Sequence, residues 1–264
     1  MWFLRNTSYK LDEIPAPFGW FHLAFLFLTI LVLSISLIKI KKLDMKKMDK
    51  VMFGCGLFLL VTEIYKQLLC SLVVYPDGYP WHLFPFQLCS VPMYLFLMVP
   101  FIKKEKIKKA IYSFLGYFMT MSGVMFYLIP SLSHVLSICI HSMLWHMILI
   151  VIGILLIIKG DYGKTYKEII PGFIVFLILV GIATIMNVVF YHTIVKYTSK
   201  TFSMFYISPY FTSSLAVFSD IHKALGWIPL MISYVAACFL AVSLIYVVIK
   251  YIKKWCLSRT LKSV

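Results

Sequence analysis

Trp81-His82-Leu83-Phe84-Pro85-Phe86-Gln87-Leu88-Cys89-Ser90-Val91-Pro92-Met93-Tyr94-Leu95-Phe96-Leu97-Met98-Val99-Pro100 is apolar enough to cross a membrane, yet it gathers Gln87, Cys89 and Ser90 just ahead of Pro92. Contact with lipid requires none of those polar groups. Two readings stand at this point: a reactive centre, or the polar chemistry that packs one helix on another. Pro92 has no N–H to give to the Leu88 carbonyl, so a helix through this stretch is expected to bend beside the thiol.

The rest of the chain reads as a polytopic membrane protein. Of its 264 residues, 62% are hydrophobic and 13% charged, and the mean hydropathy is +0.92. A soluble domain has about half its residues apolar and about a quarter charged. Seven segments are long and apolar enough to span, at 18–39, 51–74, 83–102, 110–130, 135–158, 170–193 and 226–249. The expected fold is all-α, one transmembrane helical domain over 1–264. The first apolar segment is long and ends in lysines, which reads as a retained helix and not a signal peptide.

Charge placement orients the helices. Residues 39–50 hold six lysines, 103–109 five, 159–168 three, and the stretch from 250 onward five Lys or Arg, together 19 of 25. Only Arg5, Lys10, Lys196, Lys200 and Lys223 fall on the other side, with Lys66 inside a helix. The positive-inside rule then puts the N-terminus outside and the C-terminus in the cytoplasm. The net charge of +15 is accounted for by topology and by attraction to anionic head groups, so nucleic acid is not implied. The six cysteines show no C-x-x-C pair and no metal spacing with histidine. Neither a metal nor another cofactor is expected.

Polar residues inside apolar segments are the strongest functional clue in such a chain. At about 1.5 Å per residue, Glu63 and His146 fall near the midplane, and Lys66 and Cys89 about 5 Å outward. Asn187 and His141 come about 8 and 9 Å outward. All six lie in the expected outer half. Glu63 and Lys66 suit an i,i+3 pair. His141 and His146 are expected to point about 140° apart and not to share one spot. A buried thiol becomes a nucleophile when a base or cation supports its thiolate, roles open to either histidine and to Lys66. The aromatic 194–225 loop reads as an interfacial segment or a lid over the outer mouth. Asp220 and His222 read as the entry cap of the last helix.

Several short motifs occur in an order that resembles the YwaF-like integral membrane proteins of bacteria. Pro85-Phe86-Gln87-Leu88-Cys89-Ser90 resembles that family's Pro-x-His-Leu-Cys motif, with Glu63 in the helix before it. Gly116, the run at 128–131, Trp145-His146, Lys159-Gly160, Asn187 and Gly226-Trp227-Ile228-Pro229 follow in sequence, so the likeness spans about residues 60–235. Two positions differ: Gln87 stands where a histidine is frequent, and Ser203-Met204-Phe205 where the family has Asn-Tyr-Met.

The resemblance implies a multi-pass protein of the bacterial cytoplasmic membrane. It further implies kinship with animal acyltransferases that move acyl chains between phospholipids and lysophospholipids through the motif cysteine. On that reading Cys89 is the nucleophile, His146 the first candidate base and His141 the second. Asn187, Lys66, Glu63 and Gln87 would bind substrate or the oxyanion, and the partners are membrane phospholipids and lysophospholipids. The alternative is a seven-helix transporter or receptor that binds a small solute at Glu63 and Lys66.

Overall fold

The computed structural model describes residues 2–40, 43–75, 77–159 and 165–262, with side chains up to residue 252. Lys41, Lys42, Gly160 and Lys164, used above, lie outside the described residues. Nine α-helices are present among the described residues: α1 (Trp2–Thr7), α2 (Trp20–Lys39), α3 (Met45–Leu69), α4 (Val91–Met98), α5 (Glu105–Leu128), α6 (Leu136–Lys159), α7 (Ile169–Thr193), α8 (Ala216–Leu225) and α9 (Trp227–Lys262). The sole β pairing among these residues is a bridge between Lys10 and Val135. Six helices are long and apolar enough to cross a membrane.

Helix α5 is the hub. Within its apolar window 72% of residues are buried, and 61% within α6, against 22% or less in the other four. Close approach makes this possible, and glycine permits it. A Cβ on Gly153 of α6 would lie 2.0 Å from Thr120 Oγ1, and one on Gly172 of α7 would lie 2.7 Å from the Phe114 nitrogen. Fully buried Phe114, Phe118 and Phe176 fill the α5–α7 seam, with Phe118 and Phe176 stacked at 4.8 Å. Outward positions such as Phe27, Ile185 and Leu240 are well exposed, as expected of side chains that face lipid.

Polar contacts identify which helix ends share a side. Lys108 Nζ lies 2.6 Å from Asp49 Oδ2, and Tyr112 donates to the same carboxylate, tying the start of α3 to the start of α5. Lys159 at the end of α6 donates to the Ile40 carbonyl at 3.2 Å. Ser113 donates to the Glu168 carbonyl at 2.7 Å, just before α7. These residues make the lysine-rich end. At the other end, Thr29 and Tyr127 meet at 2.8 Å, and Leu11 N donates to the His134 carbonyl at 2.7 Å.

The chain therefore leaves α3 at the lysine-poor end and begins α5 at the lysine-rich end, and residues 81–101 carry it across. They do so without the continuous helix expected over 83–102. A 3-10 turn at Trp81–Leu83 is followed by bent backbone, then by the eight-residue α4 and a 3-10 turn at Val99–Phe101. Proline explains the difference. Pro85 holds Phe84 in an extended conformation (φ −53°, ψ 131°), as the residue before a proline prefers. Pro92 sits in the first turn of α4 behind the N-cap Ser90, where its missing N–H costs nothing. It begins a helix here and does not kink one.

The 194–225 loop divides in two. Phe202, Met204, Phe205, Ile207 and Ser208 are fully buried, so this part is a plug within the bundle. Helix α8 has no buried residue and is separated from α9 by Gly226 at φ 86°. Asp220 and His222 lie inside α8 and do not cap α9.

Candidate functional site

Helix α3 ends in a five-residue π turn, Cys70–Val74, a widening often found at functional sites. One to two turns before it lie Glu63, Lys66 and Gln67. Lys66 Nζ is 2.8 Å from Glu63 Oε1, and Gln67 Nε2 donates to the same oxygen at 2.6 Å. Gln67 also donates to the Leu83 carbonyl at 2.8 Å and accepts from Tyr79 OH at 2.7 Å. The i,i+3 pair expected from the sequence is present. It is buried, with the Glu63 side chain only 3% exposed.

Glu63 and Lys66 of this network form one wall of a cavity of about 150 Å³. Glu63, Lys66, Gln87, Cys89, His141 and His146 all line it, so six of the seven sequence candidates converge. Asn187 does not line it. Both histidines reach the cavity despite their angular separation, because it wraps around a broad face of α6 that also includes Ser142 and Trp145. Their environments differ. His146 stacks flat on Phe126 at 3.7 Å, and its Nδ1 donates to the Ser142 carbonyl at 2.7 Å. A carbonyl only accepts, so the neutral ring carries its proton on Nδ1 and leaves a lone pair on Nε2. His141 Nε2 stands 3.8 Å from Glu63 Oε2, beyond hydrogen-bond reach, and neither ring nitrogen has a hydrogen-bond partner.

Cys89 sits just before the N-cap of α4, at the positive end of that helix dipole. Three borrowed donors hold the unwound backbone around it. Gln67 serves the Leu83 carbonyl, Tyr94 OH serves the Pro85 carbonyl at 2.9 Å, and Trp145 Nε1 serves the Cys89 carbonyl at 2.8 Å. The sequence marked none of the three as site residues. Only the interruption of a helix by three prolines signals that carbonyls here need outside partners.

Gln87 and Asn187 have a task that composition did not suggest. Gln87 Nε2 donates to the Ser203 carbonyl at 3.0 Å and its Oε1 accepts from Phe205 N at 2.7 Å. Asn187 does the same for Met204, donating to its carbonyl at 3.1 Å and accepting from its N–H at 2.7 Å. Two side-chain amides thus grip three consecutive residues of the plug, and Trp227 Nε1 adds a bond to the Ile207 carbonyl at 2.9 Å. The grip stabilises two strained residues, Phe205 and Tyr206, at φ 57° and 61°. Tyr206 then joins the cavity wall.

The sequence matches the model of one known family over residues 17–247, from before α2 to within α9. The chain belongs to the TMEM164 family. The TMEM164 match takes in every residue of the cavity, and six spanning-length helices agree with a transmembrane family. No curated protein and no solved structure matches the chain. Among the described residues of this TMEM164 member, no three His, Cys, Asp or Glu side chains cluster as metal ligands would.

Proposed function

We propose that this protein is an integral membrane enzyme that moves an acyl chain from a phospholipid to a lysophospholipid, or to water, through a thioester on Cys89. One observation carries the reading. A thiol at a helix break and a histidine with its Nε2 lone pair unoccupied line the same cavity within the bundle. His146 Nε2 takes the thiol proton as sulfur attacks the ester carbonyl. The tetrahedral intermediate collapses with loss of the lysophospholipid oxygen, which receives that proton. A hydroxyl of the acceptor, deprotonated by the same nitrogen, attacks the thioester and regenerates the thiol. Lys66 is the oxyanion donor, with the positive end of the α4 dipole beside it, since charge in a dry site is strongly stabilised by preset dipoles. Asn187 and Gln87 act on the substrate only through the plug they hold.

With residues 81–101 counted as a broken span, the chain crosses the membrane seven times. The lysine-rich end then faces the cytoplasm and the N-terminus lies outside. The YwaF-like motifs favour the same chemistry and a bacterial cytoplasmic membrane.

Purified protein given phospholipid with a labelled acyl chain is expected to carry an adduct on Cys89 that hydroxylamine releases. Cys89→Ala and Cys89→Ser lose it, and His146→Ala slows turnover about 100- to 10,000-fold. Turnover retained in both Cys89 variants overturns the mechanism. The buried Glu63–Lys66 pair in the same cavity favours a second reading, a solute binder or transporter. That protein would depend on Glu63 and tolerate loss of Cys89, the opposite ranking.

A further inference from the structure

A second cavity of about 150 Å³ lies between α3 and α6, on the far side of His141 and Trp145, which line both. Phe58, Leu59 and Leu144 make its apolar part. It opens sideways out of the bundle, since Phe58 and Ile140 at its rim are 47% and 37% exposed. The two helices run antiparallel here, so Tyr65 and Ser137 sit together toward the lysine-poor end, about 10 Å from the level of Phe58 and Leu144.

Two polar groups that line this apolar groove have no partner. Tyr65 OH and Ser137 Oγ are buried and make no hydrogen bond, whereas His141 sets Nε2 3.8 Å from Glu63 Oε2 of the other cavity. Buried polar groups are nearly always satisfied, because each orphan carries a desolvation cost. Two orphans at one end of the groove, one from each helix, therefore mark the place of a ligand with an oxygen acceptor at one end and an apolar body at the other. None of the nine lining residues is Lys, Arg, Asp or Glu. A neutral acceptor fits such a site better than a carboxylate, which would enter with no cation to meet it.

We propose that the α3/α6 groove docks one acyl chain of a membrane glycerophospholipid, its ester carbonyl accepting from Tyr65 and Ser137. The chain enters from the bilayer through the lateral opening and lies along α3 and α6, its polar end toward the lysine-poor surface. His141 and Trp145 are then the partition between a docked lipid and the Cys89 cavity. As a route for substrate, the groove rests on the acyl-transfer reading. As a binding site, it does not.

The full-length protein in vesicles of phosphatidylcholine with a diazirine in one acyl chain provides the test, with cross-links mapped by mass spectrometry. Labelling is expected to concentrate on the groove walls above the level at Ile185 of α7 and Leu240 of α9, two ordinary lipid-facing positions. Tyr65→Phe lowers groove labelling about fivefold, the effect of one neutral hydrogen bond. It leaves folding intact or improved, because the hydroxyl has no partner within the protein. Ile140→Trp, at the half-open rim, blocks entry and removes the labelling. Labelling no denser than at the reference positions, or unchanged in both variants, overturns the site. Groove labelling that persists in Cys89→Ala supports it independently of any chemistry. An acyl adduct on Cys89 with an unlabelled groove overturns the docking site and leaves the enzyme. A labelled groove with no adduct on Cys89 does the reverse.

Discussion

Helix α5 and residues 81–101 both read as spans in the sequence, and they satisfy their backbones in opposite ways. Over 24 residues α5 contains no proline, so its carbonyls and N–H groups pair within the helix. The 81–101 stretch contains Pro85, Pro92 and Pro100, and three of its carbonyls depend on Gln67, Tyr94 and Trp145. A self-sufficient helix exposes only side chains to its surroundings. A borrowed backbone tolerates an interior cavity, because each irregular peptide is held from elsewhere. The Cys89 cavity lies on the borrowed segment.

The difference predicts where the fold is fragile. Glu63→Leu leaves Lys66 buried without its partner and removes one of the three bonds of Gln67, and it is expected to cost about 3–5 kcal/mol in thermal unfolding of the detergent-purified protein. Replacing the pair together, Glu63→Leu with Lys66→Met, restores most of that. Asn187→Leu strands the N–H and C=O of Met204 and should cost about 2–3 kcal/mol. It should also raise hydrogen exchange across residues 202–208. Trp145→Phe removes the single donor to the Cys89 carbonyl, for about 1–2 kcal/mol. In α5, Thr120→Val deletes a hydroxyl that bonds its own helix at the Gly116 carbonyl, and below about 1 kcal/mol is expected. If Thr120→Val costs as much as Trp145→Phe, the contrast between the two segments fails.

The smallest effect concerns pH. Asp44 caps α3 by accepting from Lys47 N at 2.7 Å, and that bond holds its carboxyl below the ordinary value of 3.8. The folded state prefers the ionised form. This stabilisation is present above 3.8 and disappears as the pH falls through the lowered value. Asp44→Ala is expected to remove that acid-side dependence from exchange in the first turn of α3.

Six of the seven expected spans are helices, most with ends shifted by a few residues and α9 running thirteen residues past its expected end, because each is a long apolar run between lysines or turn residues. Hydropathy was blind to the break in the seventh. It scores Phe84 and Val99 as lipid-compatible and has no term for a backbone held by donors from other helices. The site was legible in its members, since Glu63, Lys66, Cys89, His141 and His146 are costly at membrane depth unless they face an interior. Their division of labour was not. Gln87 differs from the YwaF-like pattern, as does Ser203-Met204-Phe205, and the structure bonds these two departures to each other. Such pairing across 116 and 118 residues of sequence leaves no local trace.

The plug sets an order of assembly. Of its grips, Asn187 and Trp227 lie 17 and 20 residues away in sequence, but Gln87 lies 118 away. Long-range closures of this kind are late and slow, since the loop entropy is lost before the contacts form. During synthesis the segment holding Cys89 enters the membrane long before Phe205 exists. The nascent protein therefore passes through a stage in which the Cys89 cavity lacks the wall that Tyr206 supplies.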